Sequence, residues 1–65
     1  SQCYYYLVKS LLKAGQKELL IACYRPELEL EFEDPQMYYD LGEVLAKAGQ
    51  LEEAISCYRR ALILA

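Results

Sequence analysis

The chain has 65 residues, 55% of them hydrophobic, with a formal net charge of −3 and a pI near 4.8. That length makes one small domain at most, whose core rarely supplies more than ~3–5 kcal/mol. The acidic balance argues against nucleic acid, whose phosphates select a basic surface. No apolar run approaches the ~18 residues of a membrane span, nothing resembles a secretory leader, and there is no histidine and no C-x-x-C pair to hold a metal.

The first element is expected at 2–14. Tyr4, Leu7, Leu11 and Ala14 recur at steps of three or four, which places them on one side of a helix. Gly15 then supplies the left-handed conformation that ends a helix. A second helix is expected over 17–25, with Leu19, Leu20, Cys23 and Tyr24 as its apolar side. Pro26 should stop or kink it at Arg25–Pro26, because its ring clashes with the carbonyl of Ala22 and disfavours helical geometry at Arg25. Residues 27–33 alternate Glu with Leu or Phe, a strand signal taken alone. A lone strand would have no partner here, so a resumed helix or an extended acidic connector is expected. Asp34 is a natural cap and Pro35 a natural first residue for a third helix over 35–48, striped by Tyr38, Leu41, Leu45 and Ala48. Gly49 repeats the stop, and a fourth helix is expected over 51–64, with Leu51, Ala54, Ile55, Tyr58, Ala61 and Leu62. The sequence starts at Ser1 and stops inside that apolar pattern, so it reads as a piece of a longer protein.

These elements repeat at an offset of 34 residues. With 1–31 laid on 35–65 and no gap, sixteen positions are identical, among them Tyr4/Tyr38, Leu7/Leu41, Leu11/Leu45, the run 13–16/47–50, and Cys23-Tyr24-Arg25/Cys57-Tyr58-Arg59. Self-similarity at such a period marks stacked units, each unable to bury its apolar side alone. The turns are short, so the paired helices of each unit are antiparallel.

The second unit resembles the tetratricopeptide repeat in its period and in Tyr38, Leu41-Gly42, Leu45, Gly49, Ala54, Tyr58 and Ala61. The resemblance implies an all-α chain of two antiparallel helical hairpins, 1–34 and 35–65, stacked as a fragment of an α-solenoid. It also implies that Gly42 and Ala54 lie where the hairpin's helices cross, and that Ala61 meets a neighbouring helix. The first unit departs from the pattern with Val8, Leu20 and Glu27 at these places. Two bulky residues at the crossing should force its helices apart, and together with Pro26 they should make the first hairpin the looser one.

Nothing in the chain points to catalysis: it has no imidazole base, and no Ser or Cys has a general-base partner nearby. No cofactor is expected. Cys3, Cys23 and Cys57 are read as small apolar filler in a reducing, cytoplasmic setting. What remains is the side of the first helix of each unit opposite its stripe: Gln2, Tyr5, Tyr6, Lys9, Leu12 and Lys13, and their equivalents Gln36, Tyr39, Asp40, Glu43, Ala46 and Lys47. The resemblance makes this a concave groove for a peptide or helix of a partner protein. Tyr5 and Tyr39 are its best anchors, since tyrosine offers contact area at low rotamer cost. The family's clamp for a C-terminal carboxylate is not matched, because the corresponding positions carry Tyr5, Lys9 and Asp40. The expected function is a non-enzymatic protein-interaction module. Two other readings stand beside it: self-association through exposed helix faces or hairpin exchange, and a segment that orients substrates for an attached transferase.

Overall fold

A computed structural model of the chain describes residues 2–25 and 34–65. Four helices appear in order: α1 (Gln2–Ala14), α2 (Lys17–Cys23), α3 (Pro35–Lys47) and α4 (Leu51–Leu64). They form two hairpins, α1 on α2 and α3 on α4, with no strand among the described residues. The alternating run 27–33 and Pro26 lie outside the described residues, and so does the connector on which the hairpin-exchange reading rests.

Both hairpins turn by the same chemistry. Gly15 takes φ +70° and Gly49 φ +84°. In the first turn Gln16 N donates to Leu11 O at 3.0 Å and Gly15 N to Leu12 O at 3.2 Å. In the second, Gln50 N donates to Leu45 O at 2.9 Å and Gly49 N to Ala46 O at 3.0 Å. Each is a Schellman closure, which satisfies carbonyls that the helix end would otherwise leave open. The repeated Lys-Ala-Gly-Gln run is therefore a helix stop. At the start of α3, Asp34 Oδ1 accepts from Gln36 N at 3.0 Å, with Pro35 at the position where its missing N–H costs nothing.

The second hairpin is the fuller one. α4 has 14 residues against 7 in α2. Tyr38, Leu41, Leu45, Ala54 and Cys57 are buried, as is Gly42. At Gly42 the helices come so close that an added Cβ would lie 2.9 Å from Cε1 and 3.0 Å from Cδ1 of Tyr58. Only glycine accepts that ring in place.

In the first hairpin the equivalents of Gly42 and Ala54 are Val8 and Leu20, and both are fully buried. These bulky residues form that hairpin's core. The helix after them is short. α2 stops at Cys23, two residues before the expected end, and Tyr24 turns extended at φ −66°, ψ 133°. Arg25 compensates locally. Its Nη1 donates to Tyr24 O at 3.2 Å and to Ala22 O at 3.4 Å, serving the carbonyl that the N–H of residue 26 would serve in a continuing helix. The Tyr4 hydroxyl closes the end by accepting from Arg25 N and donating to Arg25 O. In the second hairpin, where residue 60 is arginine, α4 runs on, and the Arg60 guanidinium sits 6.0 Å from the centre of the Tyr38 ring.

Candidate functional site

α1 and α3 each carry the positions expected for a partner. Gln2 begins α1. Tyr5 and Lys9 are half-buried, while Tyr6 and Lys13 are exposed. The Tyr5 and Tyr6 rings meet edge to face, with centroids 5.1 Å apart, and Lys9 Nζ lies 5.9 Å from the centre of the Tyr5 ring. Lys9 and Tyr5 are one helical turn apart, so this contact is built by α1 alone. An aromatic patch with a cation at its edge results.

On α3, Gln36, Tyr39, Glu43 and Lys47 are exposed and Asp40 is half-buried. Gln36 Nε2 donates to Asp40 Oδ1 at 2.9 Å, again one turn along the helix. This ties the Asp40 carboxylate to an amide on its own helix. Tyr39 reaches across to α4, where its ring packs on Tyr58 with centroids 5.5 Å apart and planes tilted by 49°. It stays 49% exposed, so it is at once a packing residue of the hairpin and an open surface.

Sequence reasoning missed what lies beside Tyr39. Pro35, Gln36 and Tyr39 from α3 line a shallow, mainly apolar depression of about 410 Å³ together with Tyr58, Ala61 and Leu62 from α4. Tyr58 belongs to the apolar stripe of α4, yet it is only half-buried and forms one wall. Its phenol is pushed above the ordinary value of 10.0, first by loss of hydration and then by neighbouring Tyr39, Glu43 and Cys57. The signal that could have found it is Gly42, whose bare backbone seats the Tyr58 ring against α3. No cluster of three or more His, Cys, Asp or Glu side chains able to hold a metal occurs among the described residues. Among the same residues, no helix is long and apolar enough to cross a membrane.

A hairpin with a glycine–tyrosine crossing, a Schellman turn and a small-residue second helix is the geometry on which the comparison with known families bears. The family model for the tetratricopeptide repeat matches residues 35–65. Residues 35–65 are a tetratricopeptide repeat. The preceding hairpin, related to it by the offset of 34 residues, is tetratricopeptide-like, so the four helices form two tandem hairpins of this type. No curated protein and no solved structure matches the chain. Tetratricopeptide repeats are in general protein–protein interaction modules and are typically non-catalytic.

Proposed function

We propose that the chain is a non-enzymatic module that offers the open sides of α1 and α3 as a groove to a peptide or helix of another protein. The observation that carries this reading is the two-sidedness of these helices. α3 buries Tyr38, Leu41 and Leu45 while keeping Tyr39 exposed, and α1 buries Val8 while keeping Tyr6 exposed. Exposed tyrosines held in place by a neighbouring ring or cation are the kind of low-entropy contact surface that binding sites favour. Lys9, Lys13 and Lys47 give the proposed groove positive character within an acidic chain, so an acidic segment with an aromatic or apolar anchor suits it. Cys3, Cys23 and Cys57 suit a reducing compartment such as the cytoplasm.

Selection of peptides from a displayed library on the immobilised chain, followed by amide-shift mapping with the isolated peptide, tests this. Shifts that cluster at Tyr5, Lys9, Tyr39 and Glu43 support the groove. Peptides that bind elsewhere, or no binder at all, refute it. Self-association is a second reading, favoured by the exposure of Leu51, Leu62 and Ile63 on α4.

A further inference from the structure

The two units set the same tyrosine in opposite electrostatic surroundings. Tyr5 of α1 and Tyr39 of α3 are equivalents at the offset of 34 residues. So are Lys9 and Glu43, each one helical turn further along. On α1 the unit supplies its own cation, with Lys9 Nζ 5.9 Å from the centre of the Tyr5 ring. On α3 a carboxylate takes the place of that cation. Asp40, at the position of Tyr6, adds a second acid one turn from Glu43 on the same side of the helix. Among the described residues no cation lies over the Tyr39 ring. The Arg60 guanidinium stands by the ring of Tyr38 instead. Lys47 is more than two turns beyond Tyr39, ~12 Å along the helix.

The Tyr39 ring is open and already fixed. It is 49% exposed, and Tyr58 braces it with centroids 5.5 Å apart and planes tilted by 49°. A braced ring loses little freedom when another group stacks on it. Glu43 is exposed and close to the pair: the Tyr58 phenol is raised first by loss of hydration, then by Tyr39 and Glu43. The face of an aromatic ring attracts a cation, and a carboxylate beside it strengthens that attraction. A guanidinium answers both at once, because its plane stacks on the ring while its N–H groups donate to the carboxylate. An ammonium has no plane to stack.

We propose that the partner segment brings an arginine to α3, its guanidinium stacked on Tyr39 and paired with Glu43. The inference rests on the groove reading for the partner and deepens it by naming one of the partner's side chains. Lys9 and Lys13 on α1 favour acidic residues, whereas Asp40 and Glu43 around Tyr39 favour the opposite sign. The segment therefore carries both charges, acidic where it meets α1 and arginine where it meets Tyr39.

The test is a titration of the isotopically labelled chain with blocked glycine peptides that carry one arginine, lysine, citrulline or norleucine. Binding is read from the NMR shifts of Tyr39, Tyr58 and Glu43. Arginine should bind about three- to tenfold more tightly than citrulline, which keeps the shape and loses the charge. Probe at up to about 100 mM makes contacts this weak visible. Glu43→Gln should weaken arginine binding about two- to fivefold. Glu43→Lys, which copies the first unit, should remove it. Circular dichroism should be unchanged in both variants, since the position is exposed. No shift at Tyr39, or shifts confined to Tyr5 and Tyr6, would overturn the proposal. Equal binding of citrulline would overturn it, and so would equal binding of norleucine, which would assign the side chain to the apolar depression. Lysine binding as tight as arginine, or a Glu43→Gln chain that binds arginine as wild type does, would overturn it too. The two readings fail separately. A selected peptide that maps to α1 and α3 with no arginine at Tyr39 keeps the groove and ends this proposal. Arginine capture at Tyr39 with no binder from the library keeps the cation site and ends the groove.

Discussion

Gly42→Ala puts two effects of known size against each other. Alanine in a helix interior is better than glycine by about 1 kcal/mol. The new methyl, however, would stand 2.9, 3.0 and 3.2 Å from Cε1, Cδ1 and Cζ of Tyr58, about half an ångström short of ordinary contact at the nearest atom. Those atoms form one edge of a rigid ring, so no single bond rotation within the ring clears it. The ring must move as a whole, and it then loses its contact with Tyr39. Overpacking of this kind costs about 1–3 kcal/mol, so the net change in wild type is a loss of about 1 kcal/mol after the propensity gain. In a Tyr58→Ala background the obstacle is gone, and the same substitution should stabilise by about 1 kcal/mol. The reversal of sign, a coupling of about 2 kcal/mol, is read by urea denaturation followed by circular dichroism on the four proteins of the cycle. Equal stabilisation in both backgrounds would refute the claim that Tyr58 dictates glycine at 42.

Gly49→Ala should cost about 1–2 kcal/mol through backbone strain alone, since φ there is +84° and nothing lies within 4 Å of the added methyl; an unchanged urea midpoint would contradict the Schellman turn. Tyr4→Phe removes the hydroxyl that serves both backbone groups of Arg25, so amide exchange at Arg25 should speed up by roughly two- to tenfold, in line with a net hydrogen bond of about 0.5–1.5 kcal/mol. Exchange that stays unaltered would show that the clasp does not hold the end of α2. The raised pKa of Tyr58 means that its protonated phenol favours the fold. That contribution is intact below the ordinary 10.0 and is lost as pH rises through the higher folded value. Tyr58→Phe should therefore flatten the alkaline fall in stability, read by urea denaturation across alkaline pH; a fall as steep as in wild type would count against the shift.

Helix starts and stops were legible because each is a local event. Asp34-Pro35 and the two Ala-Gly-Gln turns contain all the chemistry they need within a few residues, and they fold as read. The end of α2 falls two residues before the one expected: the chain is already extended at Tyr24, and the Arg25 side chain donates to the carbonyls of Ala22 and Tyr24, while Pro26 lies outside the described residues. Burial was less legible. Leu7 and Leu41 are the same residue in the same stripe, and one is open while the other is covered; periodicity names the side of a helix that wants cover and is silent on what covers it. Val8 and Leu20 illustrate the same limit. Size says that they hold the helices of the first hairpin apart, and it is silent on their being that hairpin's buried core. In the second hairpin the dual role of Tyr39, packed on Tyr58 yet half-open, follows from the close approach at Gly42, a tertiary event that single-helix patterns do not encode.

The most direct test of the interaction surface is the affinity of a groove-selected peptide for the Tyr5→Ala/Tyr39→Ala protein, measured by titration calorimetry beside a circular dichroism spectrum. Tyr39 is 49% exposed and Tyr5 half-buried on a helix whose core residue is Val8, so both can be truncated while the hairpins persist. Removing two aromatic anchors should weaken binding about tenfold or more with helicity nearly unchanged. Undiminished affinity would contradict the placement of the binding surface on α1 and α3, and loss of helicity would mean that these tyrosines hold up the fold.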